Sequence, residues 1–414
     1  MYFHHKVALN MLYINSFITV LGFIMTSKII GVSDFPDAFL TKRTASGMGQ
    51  MDDQNDPVNM ILGLKDVRKA AHKCAVFQSG AKPGRIVIPS EVAIRETRQI
   101  PFEVDPPEHG GFRELLNPWF KRPLDEGYQA RLQAIIDETI DNAFKAESLD
   151  VVSQFALPLQ SKALTLLLNT SMDKAQTWID WGTHVFRSED SDLDSDKANI
   201  LYDYIDEQIE NAIAIPGDDL YSVLLNSQAN GKKLSKEEVK GVMILTFAGG
   251  RDTVINAITN SIAYFSENIS DLKRIDDEPE ILNRAVEELI RYFSPLTQMG
   301  RVATQDTSVC EHAIKADTRV SLCWASANRD EKVFKDPNNV DFDRKVNPHI
   351  SFGFSHHNCL GATHARQILR QLVLSLANKV AQIETIKADE NIEKLGEFSR
   401  KVGFNSLHVS FKSK

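Results

Sequence analysis

The chain has 414 residues, of which 43% are hydrophobic and 25% charged, and its formal net charge is −9. This composition supplies enough apolar side chains for a large core, and it excludes a disordered, collagenous or low-complexity chain. The negative charge disfavours a general nucleic-acid-binding role.

The N-terminus contains an apolar stretch, residues 7–25, between Lys6 and Lys28. A membrane anchor is one interpretation, because a spanning helix needs about 20 apolar residues. A signal peptide and a translation-start artefact, with Met25 as the working start, are the others. We treat 1–25 as an extension of open status and 26–414 as a single domain. No other stretch of the sequence is expected to span a bilayer.

Helical spacing of apolar residues dominates the rest of the chain. Residues 26–60 and 78–108 are rich in glycine, proline, aspartate or asparagine, which predicts loops. Helices are predicted at 66–77, 109–118, 128–146, 151–169, 173–187, 196–213, 218–228, 235–266, 281–292 and 361–383. Short strands are predicted at 319–324 and 407–411. Because regular strands do not separate the helices, we expect a mainly α domain with a small β region rather than a doubly wound sheet.

The chain has four cysteines and no C-x-x-C pair, so neither a disulfide framework nor a zinc ribbon is indicated, and a reducing compartment is expected. Cys359 ends a turn-rich loop just before a predicted helix, whose positive end favours a thiolate. Cys359 is therefore a candidate nucleophile or metal ligand, and a buried structural cysteine is the alternative. A hydrolase elbow is excluded, because His357 stands where G-x-S-x-G needs its last glycine. The histidines near Cys359 give only a fragment of a zinc site.

The same loop resembles the haem-binding loop of the cytochrome P-450 family, F-G-x-G-x-H-x-C-x-G. The matching residues are Phe352, Gly353, His357, Cys359 and Gly361. Ser355 departs from the pattern, where the family has its second glycine. The resemblance implies that Cys359 is the axial thiolate ligand of haem b, that Phe352 packs beside the sulfur, and that His357 belongs to the cofactor site.

The longest predicted helix, 235–266, contains the segment GGRDT at 249–253. Two adjacent glycines inside a helix cost about 2 kcal/mol relative to alanine. A flat ligand that approaches closely, or a local opening of the helix, would compensate for this cost. The segment resembles the oxygen-binding groove of the same family, [AG]-G-x-[DE]-T. The resemblance implies two cofactor-facing glycines, Gly249 and Gly250, and two proton-delivering residues, Asp252 and Thr253.

A predicted helix near residue 290 carries Glu288 and Arg291 at an i, i+3 spacing, which brings their side chains together. Such pairs are common on helix surfaces, so the spacing alone carries little weight. The run that contains them resembles the E-x-x-R helix of the family. The resemblance implies that Arg344 completes a structural cluster with them, which supports folding and haem retention rather than chemistry.

Several basic residues are candidates for binding the two haem propionates. His109 and Arg113 follow Asp-Pro-Pro-Glu at the start of a predicted helix, and this segment resembles the D-P-P-E-H-x-x-x-R pattern of the family. Arg301 and His349 occupy further matching positions. Arginine suits this role because its fork of donors fits carboxylates.

The resemblance implies the mainly helical P-450 fold and the monooxygenation of a substrate C–H bond with O₂. It points to the soluble, bacterial, camphor-hydroxylase-like type. Electrons are then expected from a separate [2Fe–2S] ferredoxin and its NAD(P)H-dependent reductase. The docking face is expected near Cys359, with Arg113, Arg366 and Arg370 as a basic patch. We expect a cytoplasmic monomer that binds no nucleic acid, and no membrane unless residues 7–25 act as an anchor.

The expected pocket residues are apolar, which favours a small, mostly apolar substrate, and the sub-family resemblance favours a terpenoid-like one. These residues are Leu245, Phe247, Ala248, Leu296 and Met299. Fatty acid, steroid and aromatic substrates stay open, as do the regiochemistry and the cognate redox partner. Three other functions are kept: a peroxide-driven haem enzyme, a haem-thiolate sensor without turnover, and a helical binding protein without haem.

Overall fold

The computed structural model describes residues 31–53, 56–80, 94–95, 97–184, 186 and 194–414. Phe35–Lys414 forms one compact unit, and Met1–Asp34 is a separate unit. The predictions made for residues 1–25 therefore lie outside the described residues.

Helices make up most of the described chain. The α-helices are α1 (Leu40–Ala45), α2 (Leu64–His72), α3 (Glu108–Phe120), α4 (Glu126–Ala143), α5 (Leu157–Leu168), α6 (Lys174–Asp180), α7 (Ser195–Ala214), α8 (Leu220–Leu225), α9 (Lys236–Gly250), α10 (Asp252–Glu267), α11 (Ile269–Asp277), α12 (Leu282–Phe293), α13 (Trp324–Ala327) and α14 (Ala362–Lys379). A π-helical segment, Val151–Ala156, leads directly into α5.

The strands form small sheets. They are β1 (Met48–Asp53), β2 (Asp56–Ile61), β3 (Phe77–Gln78), β4 (Leu149–Asp150), β5 (Gln228–Ala229), β6 (Lys232–Lys233), β7 (Gln298–Ala303), β8 (Thr307–Val309), β9 (His312–Ile314), β10 (Arg319–Cys323), β11 (Val380–Leu395) and β12 (Phe398–Ser413). A five-stranded sheet has the order β1-β2-β10-β7-β3, and a three-stranded sheet has the order β11-β12-β4. The strands β2 and β10 run parallel, and the other pairs in these two sheets are antiparallel.

This architecture confirms the expected mainly α fold with a small β region. Several predicted boundaries are wrong; the helices predicted at 66–77 and 173–187, for example, end at His72 and Asp180. The segment 26–60 holds β1 and β2 rather than loop alone, the helix predicted at 361–383 ends at Lys379, and the helix predicted at 235–266 is interrupted at Arg251. The strands were missed because distant pairing, such as Val58 with Arg319, stabilises them and their own patterns are weak.

One helical stretch of the described chain, Val151–Leu168, is long and apolar enough to cross a membrane, which corrects the expectation that no stretch beyond residues 7–25 would qualify. It is 78% buried inside the protein. A helix that is hydrophobic all round is typical of a buried core position, and this one packs against α4 and α10.

The helix α14 fixes the position of the loop that carries Cys359, because it begins three residues after that cysteine. It packs against α4, α11 and α12. Its buried face includes Leu372, Val373 and Leu376, each 0% exposed. Full burial of each such side chain contributes roughly 1.5–3 kcal/mol, so α14 is anchored in the core.

A buried ionic cluster ties α12 to the segment that precedes the Cys359 loop. Arg291 donates from Nε and Nη2 to the two carboxylate oxygens of Glu288 at 2.8 and 2.7 Å. Arg344 Nε donates to the same oxygens at 3.1 and 3.0 Å. The Glu288 and Arg291 side chains are 0% exposed and that of Arg344 is 8% exposed. The structure thus brings together the three residues that the E-x-x-R resemblance placed in one cluster.

We expect Glu288→Gln to lower the free energy of unfolding by about 3–5 kcal/mol, because two buried guanidinium groups lose their counter-charge. Urea unfolding of the haem-loaded protein measures the change. The matched control is Glu210→Gln, since the Glu210 carboxylate meets Lys236 Nζ at 2.6 Å on the surface and exposed pairs stabilise little. Equal losses in the two variants would contradict the structural role of the cluster.

Candidate functional site

The loop before α14 is closed by its own backbone. Cys359 N donates to Phe352 O at 2.8 Å, and Gly353 N donates to Ile350 O at 2.9 Å. Gly353 has φ +75°, and a Cβ there would meet His357 O at 3.3 Å, so this position favours glycine. Ser355 adopts φ +64°, the left-handed conformation for which the family pattern has glycine. The serine therefore preserves the shape of the loop and accepts the steric cost of this conformation.

The surroundings of Cys359 suit a thiolate that is bound to a cation. Burial raises the pKa of the Cys359 thiol above its ordinary value, and the N–H groups of Gly361 and Ala362 at the start of α14, with the charges of Arg113 and Arg366, offset this only in part, so a thiolate here needs a bound cation. Cys359 is nevertheless exposed, so a ligand can reach the sulfur. Among the described residues no group of three His, Cys, Asp or Glu side chains could hold a metal ion. The described residues around Cys359 thus lack the three or four ligands of a zinc site, and the remaining possibility is a metal bound to the protein through one thiolate.

Phe352 lies beside Cys359 in the loop and contacts two basic side chains. Arg366 lies over its ring at 4.4 Å, and the His349 ring centroid is 6.3 Å from it. Glu287 joins the two, since it accepts from Arg366 Nε at 2.6 Å and pairs with His349 Nε2 at 2.9 Å. Although burial raises the pKa of Glu287, these partners lower it to about 2. His349 is therefore engaged with a carboxylate in this structure.

A second group contains His109, His357 and Asp105. His109 is buried, and its ring centroid is 4.5 Å from that of His357. His357 Nε2 lies 3.2 Å from Asp105 Oδ1, and the same carboxylate accepts the N–H groups of Ser79 and Gly80 at 3.0 and 2.5 Å. Burial, with the charge of His357, lowers the pKa of His109 to about 4. The backbone N–H of His109 donates to Asp105 O at 3.1 Å, and its imidazole forms no hydrogen bond within the described residues.

Arg301 and Arg113 adjoin this second group. Arg301 is 3% exposed and donates from Nη1 to Gly300 O at 2.6 Å. Burial lowers its pKa to about 10, and the charge of Asp105 opposes this shift. Arg113 donates from Nη1 to Asn358 O at 2.7 Å. In the described chain, no hydrogen bond or ring contact links His349 to this group, so the four predicted propionate ligands fall into two groups.

These bases fit a cofactor that carries carboxylates. Together with the adjoining Arg301 and Arg113, the second group presents two arginines and two histidines around one carboxylate, that of Asp105. A buried guanidinium such as that of Arg301, which has a single carbonyl partner among the described residues, favours an anion that would satisfy its other donors. The donor set beside the Cys359 thiol would thus fit the propionates of a haem.

The helix predicted at 235–266 is interrupted between α9 and α10 at Arg251, which has φ −103° and ψ −78°. Gln160 Nε2 donates to Gly250 O at 2.9 Å, and Thr253 Oγ1 donates to Gly249 O at 3.1 Å. These side chains satisfy two backbone carbonyls near the break. They therefore offset part of the cost of opening the helix, as the pair of glycines in the sequence led us to expect. A Cβ at Gly250 would meet nothing within 4 Å, and one at Gly249 only Leu245 Cδ1 at 3.9 Å. The break therefore presents an open backbone face that a flat ligand could approach.

Asp252 begins α10 directly after this break. Its Oδ2 lies 2.7 Å from His184 Nδ1, while its Oδ1 is buried without a partner in the described structure. Thr253 is next in the chain and half-buried. The sequence analysis missed His184, Gln160 and Glu287. They lie 68, 90 and 79 residues from their partners, so no local pattern could have identified them.

The comparisons with known proteins agree with this geometry. The family model "Cytochrome P450" matches residues 120–378. A probable cytochrome P450 127A1 of Sinorhizobium fredii is 32% identical over 75% of this chain and 74% of its own length. The linalool 8-monooxygenase of Pseudomonas putida is 29% identical over 78% of this chain and 83% of its own length. A solved structure described as that of a carbohydrate active P450 is 64% identical, has a TM-score of 0.91, and covers 93% of this chain and 100% of its own.

We expect Ser355→Gly to change the free energy of unfolding by less than about 1 kcal/mol, because the relieved left-handed strain is offset by the greater entropy of glycine in the unfolded chain. Ser355→Val should lower it by about 1–2 kcal/mol, since a β-branched residue fits this backbone poorly. Urea unfolding compares the two. A larger loss in the glycine variant would show that the 3.1 Å contact of Ser355 Oγ with His72 Nδ1, and not the backbone, controls the loop.

Proposed function

The chain belongs to the cytochrome P450 family of haem-thiolate monooxygenases, and we propose that it oxidises a C–H bond of a carbohydrate. The observation that carries the substrate class is the 64% identity, over 93% of this chain, to the solved carbohydrate active P450. Fold similarity alone would not support it, since one fold hosts many substrates. An identity of this size over nearly the whole chain goes well beyond a shared fold.

The apolar residues expected to line the pocket are compatible with a sugar. Phe247 is 0% exposed and packs edge-on against Trp178 and Trp181, so it belongs to the core rather than to a pocket wall. Leu245, Ala248, Leu296 and Met299 are half-buried. A pyranose ring presents apolar C–H faces as well as hydroxyl groups, so half-buried aliphatic residues can contact it.

A small terpenoid alcohol is the second candidate substrate. It is supported by the 29% identity to the linalool 8-monooxygenase and by the half-buried aliphatic residues, among them Leu296 and Met299. It also retains the substrate class that the sequence analysis favoured. The lower identity makes it the weaker of the two proposals.

The residues of the site divide into those that hold the cofactor and those that handle protons. Cys359 supplies the thiolate ligand, and the bound haem supplies the activation of O₂ and the oxidation of the C–H bond. We assign propionate binding to Arg301, His109 and Arg113, with His357 held in place by Asp105. His349 would reach a propionate only by sharing its proton with Glu287, which it contacts at 2.9 Å.

We assign proton delivery to Asp252 and Thr253 at the start of α10. The buried, unpartnered Oδ1 of Asp252 can accept or release a proton without breaking a hydrogen bond within the described structure. The Thr253 hydroxyl donates to Gly249 O, so its oxygen can accept a hydrogen bond from a neighbouring donor. An acid and a hydroxyl beside an opened helix thus form a short path toward the cofactor face.

We propose that electrons come from a separate [2Fe–2S] ferredoxin, which docks on the face around Cys359. Of the expected basic patch, Arg366 is paired with Glu287 and Arg113 is bonded to Asn358 O. Arg370 is half-buried and forms no ion pair within the described structure. Its unneutralised charge could attract an acidic partner. A cytoplasmic location and a monomeric state accompany this proposal.

We expect neutral monosaccharides, methyl glycosides or short oligosaccharides to shift the haem Soret band of the purified protein, because a substrate near the iron changes its spin state. Linalool serves as the comparison ligand. A sugar that shifts the band is then incubated with a [2Fe–2S] ferredoxin, its reductase and NAD(P)H. The product should either contain one more oxygen atom than the sugar or lack the group that was oxidised and released. The matched control is Thr253→Ala, which should keep the binding shift and lose most of the product.

A shift and product with linalool, and none with any sugar, would overturn the carbohydrate assignment and favour the second candidate. Turnover that is equally fast with hydrogen peroxide alone, without ferredoxin, would instead favour the peroxide-driven alternative. In the latter case Thr253→Ala should have little effect, since peroxide carries its own protons.

A further inference from the structure

We infer that His184 is a positioning and proton-transfer residue that connects Asp252 to solvent. The inference rests on the proposed role of Asp252 in proton delivery. His184 lies beyond the end of α6, and its Nδ1 is 2.7 Å from Asp252 Oδ2. Its side chain is 23% exposed, so one edge of the imidazole contacts the carboxylate while another part is open to solvent.

A cavity of about 110 Å³ adjoins the outer side of this pair. It is lined by His184 with Asp180, Trp181, Lys197, Ile200 and Leu201. A water molecule needs roughly 10–15 Å³ of such a cavity, so several can enter. Ile200 is 51% exposed and Asp180 is also exposed, so the cavity reaches the protein surface. Solvent can therefore contact His184 at the side away from Asp252.

Arg251, the residue at which the helix breaks, also fixes the position of His184. Its Nη2 donates to Trp178 O in α6 at 2.9 Å and to Gly182 O, two residues before His184. Arg251 is 0% exposed. One buried guanidinium thus anchors both the break that exposes Asp252 and the segment that carries its histidine partner. The contact between Asp252 and His184 is therefore supported by buried hydrogen bonds of Arg251, unlike an isolated surface pair.

Charged groups from three helices face His184. Asp252 contacts it from α10, Asp180 approaches from α6 and Lys197 from α7, while Arg251 is bonded to carbonyls. Two carboxylates and one lysine line the space. In the described chain no hydrogen bond occupies Nε2 of His184, so a water in the cavity can bind it.

The step itself is a proton transfer with no change in oxidation state. A hydronium ion in the cavity gives a proton to His184 Nε2 and becomes water, while the Nδ1–H proton passes to Asp252 Oδ2, which becomes a neutral carboxyl. Asp252 then gives this proton to Thr253 Oγ1 as the hydroxyl proton of Thr253 leaves for an acceptor on the cofactor side, and His184 regains its Nδ1–H form by proton exchange with water before the next transfer. Imidazole suits this task because it exchanges protons near neutral pH.

The decisive variant is His184→Asn, because the Asn amide nitrogen can replace Nδ1 in the hydrogen bond to Asp252 but cannot carry a proton. We expect product formed per NAD(P)H to fall and released hydrogen peroxide to rise, with a larger solvent deuterium isotope effect. Asp252→Asn should lower product formation about a hundredfold or more, and His184→Asn should lower it less. His312→Asn, at the exposed His312 of β9, is the control and should behave like the unmodified chain.

The reference assay is turnover supported by hydrogen peroxide, which needs no proton from the protein. If His184→Asn retains that turnover and loses coupling with ferredoxin, the inference stands. If both fall equally, or if His184→Asn matches the unmodified chain in isotope effect and coupling, His184 only supports the fold and the inference is wrong. When no substrate is turned over by the unmodified chain under either condition, it is the proposed function that has failed.

A second measurement tests the pair without catalysis. In haem-loaded protein labelled with ¹⁵N-histidine, the His184 ring resonances, assigned by their loss in His184→Asn, should shift in Asp252→Asn. They should not shift in Asp203→Asn, whose carboxylate is exposed on α7. An unchanged His184 spectrum in Asp252→Asn would show that the hydrogen bond is absent in solution, which would overturn the inference even if the carbohydrate proposal holds.

Discussion

The hydrogen bond from Cys359 N to Phe352 O closes the loop on which the function of this chain depends. It places the sulfur at the start of α14, where backbone N–H groups and two arginines offset part of the cost of desolvating a thiolate. The core residues that pack against α14, and the Glu288 cluster, fix the segments on either side of this loop. The remaining site residues are useful only because the thiolate is fixed relative to them.

A second constraint acts at the break between α9 and α10. Adjacent glycines weaken the helix, and Arg251 interrupts it, yet Gln160 and Thr253 satisfy two of the carbonyls involved. The same interruption presents Asp252 to His184. The helix thus loses regularity at a point where an open backbone face and a carboxylate paired with His184 lie side by side, and such departures from local helix stability are expected at functional sites.

Much of the site could be predicted because its motifs are local. The Cys359 loop, the Glu288–Arg291 pair and the GGRDT segment each lie within about one helical turn or loop, so spacing reveals them. Contacts between residues that are far apart in the sequence could not be predicted from spacing. His184 meets Asp252 over 68 residues, and β11 and β12 pair through a register that alternation within either strand does not encode.

The most direct test of the account is the absorption difference spectrum of the dithionite-reduced protein with and without carbon monoxide. Thiolate ligation by Cys359 predicts a strongly red-shifted Soret band that is lost in Cys359→Ser. A band at the shorter wavelength typical of histidine or thiol ligation, or a red-shifted band that survives in Cys359→Ser, would contradict the assignment of Cys359 and with it the site built around this residue.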